Sequence, residues 1–377
     1  MGAWATIKLA LTGKELDFTS GPIGRAIILL AIPMVLEMVM ESVFALSDAF
    51  FVSRLGTDAL ATVGLTEAMI SLLFAVAIGT GMATTAMVAR RIGERDTEAA
   101  GIAAAQSIVL GILLSLAIAV PGVIFARQLL TLMGGTPELV ASGYGYTQVM
   151  FGGSATIMLI FLLNAVFRGA GDAAIAMKVL WIANAINIVL DPCLIFGLGP
   201  FPEMGVAGAA VATTTGRGIG VVIQLWILFN GSGRIRVRWP DFVPRLSLIL
   251  RLLRLSIGGI LQLLIGTSSW VALVWIVGSF GPAAVAGYTL AIRLIVFAIL
   301  PSWGLANAAA TLVGQNLGAD QPQRAEISVW KAGLYNMAFL LAIAVVFIFA
   351  ADTLIRLFTS EPEVVRYGVS CLVWVSI

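Results

Sequence analysis

The sequence predicts an all-α polytopic membrane protein. Its two helix-bundle lobes are pseudo-symmetric, related by a parallel repeat, with ten helices here of an expected twelve. Three observations carry that prediction: the composition, a series of long apolar runs, and an internal repeat. Of 377 residues, 60% are hydrophobic and 11% charged, and the mean hydropathy is +1.02. Soluble chains are roughly 45–50% apolar and about 25% charged. A soluble enzyme, a disordered chain and a nucleic-acid binder are excluded on these grounds. Lys and Arg number 22 against 20 Asp and Glu, so no basic tract seeks phosphates. The absence of His excludes HExxH zinc chemistry, Ser-His-Asp triads and His-ligated haem. Cys193 and Cys371 sit in apolar runs and offer neither a disulfide framework nor a CxxC site.

A membrane-crossing helix needs about 20 mostly apolar residues. Breaks at Gly, Pro and charged residues delimit ten such spans, at 26–52, 60–89, 99–125, 138–167, 174–198, 204–230, 247–279, 284–314, 325–350 and 363–377. Residues 1–25 form a short amphipathic cytoplasmic lead-in. Residues 26–232 form the first lobe, with spans one to six. Residues 233–246 are a cytoplasmic linker, and 247–377 form an incomplete second lobe with spans seven to ten. With the N-terminus inside, sixteen Lys and Arg fall in cytoplasmic segments, Arg168 among them, and four outside. That bias places the N-terminus in the cytoplasm, and the plasma membrane is the expected location.

The repeat appears on shifting the chain by 225 positions, which lays Gly56–Gly152 over Gly281–Ile377 without a gap and gives 23 identities in 97 positions. Leu116-Ala117-Ile118-Ala119-Val120 recurs as Leu341-Ala342-Ile343-Ala344-Val345. Six spans separate the copies, so both share one orientation, a common transporter design. The first copy runs on to about Asn230, whereas the second stops at Ile377, the partner of Gly152. A twelve-helix parent is therefore expected, with this chain lacking the end of the tenth helix and the last two.

Ionisable residues inside a bilayer are costly and usually functional. Five acids qualify, Glu37, Glu41, Asp48, Glu67 and Asp191, and all lie in the first half. In the first span, Glu37, Glu41 and Asp48 project at about 0°, 40° and 20° and make one acidic stripe. They are read as facing a cavity or the first lobe's interior. The alternative for Asp48 and Glu41 is contact with interfacial water. In the fifth span, Asn187 and Asp191 share one face, and Pro192 frees the carbonyl of Ile188. A carboxylate, an amide oxygen and a loosened backbone suit a hard cation or a proton, or else merely clamp two helices. Thr213, in the small-residue run opening the sixth span, can add a hydroxyl. Glu67 either joins this cluster or seals the outer mouth. Arg217 is read as capping carbonyls or pairing with an acid. Arg293 and Gln262 are the second lobe's candidates for substrate contact, with structural pairing the other reading of Arg293. Met34, Met38, Met40, Trp181, Trp270, Trp275 and Trp303 can line an apolar cavity or simply pack.

Four segments together resemble the multidrug and toxic compound extrusion (MATE) family over nearly the whole chain. They are Ile32-Pro33-Met34 through Ser47-Asp48 to Gly56, then Arg168-Gly169-Ala170-Gly171-Asp172. The third is Asn187 to Pro192 with Gly205 to Ala210, and the fourth is Val313-Gly314-Gln315-Asn316-Leu317-Gly318-Ala319. The resemblance implies two six-helix lobes around a central cavity. It implies a secondary antiporter, not an enzyme, that exports organic and often cationic compounds in exchange for H⁺ or Na⁺. No prosthetic cofactor is expected, and the partners are small molecules and lipid, with the chain a monomer. The family's first-span acid falls on Asp48, its fifth-span pair on Asn187 and Asp191, and its supporting hydroxyl on Thr213. Asp48, Asn187 and Asp191 are then the metal ligands if the ion is Na⁺. One branch carries a glutamate in the seventh span, where this chain has Gln262, and Tyr367–Ile377 holds no acid. Glu37 and Glu41 fall outside the family motif. A lipid-linked oligosaccharide flippase is the alternative transporter, but it calls for a more cationic cavity. A membrane enzyme acting on lipid phosphates lacks any DDxxD-like or His-containing motif.

Overall fold

A computed structural model describes residues 3–12 and 17–377. Helix α1 (Ala3–Thr12) lies in the lead-in, ahead of the first span, α2 (Ile23–Ser53). There follow α3 (Thr57–Gly93), α4 (Thr97–Ile124), a short α5 (Ala126–Leu132), α6 (Pro137–Gly152), α7 (Ser154–Ala170), α8 (Ala173–Phe196) and α9 (Val206–Asn230). After the linker come α10 (Leu246–Gly278), α11 (Pro282–Gly318), α12 (Pro322–Arg356) and α13 (Pro362–Ser376). Nine spans among the described residues are long and apolar enough to cross a bilayer, Pro137–Ala170 counting as one. The tenth predicted span, α13, has 15 residues and is shorter than the rest. The fourth span is broken between α6 and α7 at Gly153, where consecutive glycines weaken the helix.

One end of the bundle, the base, carries residues near 20, the α3–α4 turn, Gly171 and the linker. The other end, the mouth, carries the α2–α3 and α10–α11 turns. Local chemistry sets the turns. Asp96 caps α4 by accepting from the Ala99 amide at 2.8 Å. Gly171 ends α7 in the left-handed region at φ 88°, where a side chain is strained.

The repeat is visible in the backbone. Helices α3 and α11 both have 37 residues and start 225 positions apart. Gly56 and Gly281 precede them with φ 102° and 100°. The two non-glycine residues of positive φ among the described residues, Arg95 (60°) and Asp320 (54°), are repeat partners as well. The two lobes meet reciprocally at the base. A Cβ on Gly93 would strike the Gln315 carbonyl, and one on Gly318 would strike that of Arg90. Arg90 and Gln315 are again partners in the repeat. Toward mid-depth, Gly304 sits on Val35 and Gly79 on Ile260. Small residues permit this backbone approach, which is what drives helix association where burial from water contributes nothing.

The lobes differ in packing. The first buries two large apolar clusters, one around Phe167 and Leu163, the other around Ile70 and Met158. In the second, α10 buries Ile249, Leu252 and Ser256 and no residue after them. The linker lies against the first lobe. Gln106 donates to the carbonyls of Asp241 (2.7 Å) and Val243 (2.9 Å) and accepts from the Arg245 amide (2.8 Å). At the base, the Asp17 carboxylate accepts from the Thr19 hydroxyl (2.6 Å) and amide (2.8 Å). The hydroxyl bond in particular holds its pKa below the usual carboxylate value.

Candidate coupling site in the first lobe

Helices α8 and α9 are drawn together by a ridge of small residues. Gly208, Gly216 and Gly220 of α9 lie against Leu194, Ala183 and Asn187 of α8. This contact sets the distance between their polar side chains. The Asn187 amide donates to the Thr213 hydroxyl at 3.1 Å and to the Asp191 carboxylate at 3.4 Å. All three residues are buried, Asp191 completely. Asn187 Oδ1 and Asp191 Oδ2 are buried with no hydrogen-bond partner. Buried polar atoms are paired in the great majority of cases, so these two oxygens, on neighbouring residues of one helical face, stand out as acceptors without a donor.

Asp48 approaches from α2. It is half-buried, forms no hydrogen bond among the described residues, and lies near enough for its charge to act on Asp191, Glu67 and Arg217. Tyr146 of α6, also buried, lies within the field of Asp48, Glu67 and Asp191. Asp48, Asn187, Asp191 and Thr213 are thus brought into one region near the mouth. Glu67 is exposed at its edge.

Glu37 and Glu41 point away from lipid, but Glu37 lines no open cavity. It is 1% exposed inside the first lobe and accepts from Arg168 at 2.7 Å and Asn164 at 3.0 Å. Gln224 donates to Asn164 at 2.6 Å and extends this network. Arg168, counted above among the cytoplasmic loop cations, is instead a buried residue of α7 held by that acid. Its own carbonyl accepts from Thr311 (3.1 Å), and that of Gly169 from Gln315 (3.0 Å), so α11 closes the end of α7. Glu41 is part-exposed and accepts from Arg217 (3.1 Å) and Asn184 (3.1 Å). The stripe is therefore two arginine-paired glutamates below one unpaired aspartate. Pairing explains how helix α2 carries the first two acids through a membrane.

In the second lobe, Arg293 and Gln262 are both exposed. Arg293 is 18 positions, about five turns, before Thr311, and so occupies the side of α11 that meets the first lobe nearer the base. Met34 is core, while Trp270 and Trp275 are exposed. No cluster of three His, Cys, Asp or Glu suited to a metal occurs among the described residues. The sequence reading missed Tyr146, Asn164, Asn184, Arg168 and Gln224. Asn184 carried a signal, since it precedes Asn187 by three positions on the same helical face. Tyr146 carried none.

Comparison with known proteins agrees with this architecture. A "FAD transporter" of Shewanella oneidensis is 26% identical over 348 residues, 92% of this chain and 77% of that protein. A "Probable multidrug resistance protein NorM" of Thermotoga maritima is 27% identical over 91% of this chain and 74% of its own length. A solved structure described as the outward-facing conformation of a multidrug resistance MATE family transporter superposes with a TM-score of 0.87 at 29% identity. It covers 96% of this chain and 80% of that one. One described as MATE in the bent conformation gives 0.86 at 28%, over 98% and 79%. The MatE family model matches residues 33–193 and 259–377, and the chain accordingly belongs to the MatE family of membrane transporters.

Proposed function

We propose that this transporter is a secondary antiporter that exports organic, chiefly cationic, compounds in exchange for H⁺ or Na⁺. Asp48, Asn187, Asp191 and Thr213 form its coupling site. The observation that carries the assignment is the pair of orphaned oxygens, Asn187 Oδ1 and Asp191 Oδ2, beside the unpaired Asp48. The carboxylates of Asp48 and Asp191 repel one another, and an arriving cation or proton relieves that repulsion. Relief at this point, between α2, α8 and α9, alters the packing of one lobe. That gives ion binding a handle on the lobe's shape. If the ion is Na⁺, the ligands are Asp48, Asn187 and Asp191. The base is cytoplasmic, the plasma membrane is the site, and the working unit is the monomer. Residues 26–232 and 247–377 are the two moving lobes, with 233–246 as linker. Arg293 and Gln262 belong to the substrate-facing wall. Family membership and the names of multidrug relatives support export. The acidic first lobe supports cations as cargo.

Efflux from everted vesicles, with Na⁺ and pH gradients imposed separately, tests this. A cationic dye and a flavin nucleotide serve as alternative cargo, because one relative is named for FAD. Asp48→Asn and Asp191→Asn are expected to abolish gradient-driven export while leaving the protein folded. Normal coupled export by both variants would remove the site. Preference for the flavin would overturn the cargo class.

A further inference from the structure

The first lobe holds a second buried cation whose position the coupling reaction does not explain. Arg217 is one helical turn beyond Thr213 on α9 and is 5% exposed. An arginine does not shed its charge in a protein. One nitrogen, Nη2, donates to Glu41 at 3.1 Å, while Nη1 is buried with no partner. Its guanidinium carbon lies 5.5 Å from the Phe44 ring centre and 5.6 Å from that of Phe74. Those aromatic faces favour a cation without fixing its orientation. The acidic and titratable groups that interact with it are Glu41 and Asp48 on α2, Glu67 on α3 and Tyr146 on α6, with Asp191 on α8 reached through Asp48. The other buried arginine, Arg168, also makes one side-chain hydrogen bond and leaves Nε without a partner, but its acid, Glu37, is fully buried and held in turn by Asn164, so that pair is fixed where Glu41 is part-exposed. Arg217 is held by a single hydrogen bond to a part-exposed acid, with a free donor, and its charge acts on Asp48.

We propose that Arg217 is a tethered counter-ion that alternates with the coupling cation, resting on Glu41 when the site is loaded and engaging Asp48 when it is unloaded. The inference depends on the reading of Asp48, Asn187 and Asp191 as the coupling site. Without such a group, unloading would leave Asp48, Glu67 and Asp191 facing one another with no positive charge engaged. Glu41 and Asp48 are seven residues apart on α2, about 10.5 Å along its axis. A side-chain swing of the long arginine covers much of that span. Glu41 is then the parking position, and ion affinity is set by competition between two cations, one of them covalently attached.

The experiment uses the full chain in liposomes, titrated with NaCl at fixed pH and with acid at fixed salt. Tryptophan fluorescence reports binding, since Trp181 on α8 donates to the Leu36 carbonyl of α2. R217Q is expected to bind the coupling cation about tenfold more tightly, the order of magnitude for removing one competing unit charge, and to export more slowly because release is impaired. E41Q is expected to weaken binding, since the arginine loses its parking position. The decisive result is the double variant. With the competitor gone, E41Q has no further effect, and R217Q/E41Q binds as R217Q does. Additive shifts would reduce Arg217 to a source of field and overturn the proposal, as would unchanged affinity in R217Q. If R217Q fails to fold, R217K keeps the charge, and in that background E41Q must still weaken binding. Loss of cation binding in Asp191→Asn with no shift in R217Q sinks only the counter-ion. Unaltered binding in Asp191→Asn sinks the coupling site itself.

Discussion

Replacing Gly93 by alanine probes the crossing of α3 and α11 at the base. The added methyl would lie 2.7 Å from the carbonyl carbon of Gln315 and 2.9 Å from its Cα. Carbon atoms pack best at about 3.5–4.0 Å, so the helices must part by roughly 1 Å. Both obstacles are backbone, and no rotamer change relieves them. Overpacking of this kind costs about 1–3 kcal/mol, and better helix propensity returns at most about 1 kcal/mol. If the contact exists only while the base is closed, that cost shifts the balance toward a base-open state by about 5- to 150-fold, because the propensity gain is common to both states and cancels from their ratio. The reporter is Thr311→Cys in a background lacking Cys193 and Cys371. Thr311 is fully buried where α11 meets α7, and cysteine is no larger. Its labelling by a maleimide should quicken by the same factor. Gly64→Ala, in the same helix with nothing near its added methyl, is the control. Equal labelling rates in Gly93→Ala and Gly64→Ala would refute the idea that the bases separate during transport.

Three other outcomes follow. Glu37→Leu alone leaves Arg168 buried and unpaired and should lower stability by about 3–5 kcal/mol, whereas Glu37→Leu with Arg168→Leu should recover much of the loss; denaturation of both variants in detergent checks this. A thiol introduced by Arg236→Cys, exposed in the linker, should be labelled only from the cytoplasmic side, and labelling from outside would invert the proposed topology. Asp17 has a pKa lowered by folding, so its stabilising effect is present above the ordinary carboxylate value and fades as the pH falls through its folded value. The stability difference between wild type and Asp17→Asn should therefore vanish in strong acid, and one that persists there would contradict the Thr19 bonds as its source.

Much of the architecture was legible because membranes leave helices few alternatives. Long apolar runs gave the spans, and the constant 225-residue shift related α3 to α11. The acid stripe of α2 was legible from angular spacing alone. Its electrostatic meaning was not. Arg168 sits beside Gly169 and Asp172 in a stretch that reads as a loop, and only the fold shows it reaching back to Glu37, 131 positions earlier. Tyr146 escaped for a similar reason, since no spacing rule on α6 refers to α2 or α8. The break at Gly153 was hidden because Gly152 and Gly153 lie between two stretches that together read as one span. The expected span 60–89 stopped short of α3 at both ends, at the base because Arg90 and Arg91 remain helical once outside the apolar zone.

The reciprocal meeting of Gly93 with Gln315 and of Gly318 with Arg90 makes this chain behave, at one place, like a homodimer written on a single strand. A contact that lies on a two-fold axis is used twice, so a change at one position calls for a matched change at its partner 225 residues away. Away from the axis no such bond exists. The first lobe accordingly carries Glu67 where the second has Ile292, and Ala68 where the second has Arg293. The lobes are free to diverge in chemistry where the axis does not bind them together, and they remain geometrical copies where it does.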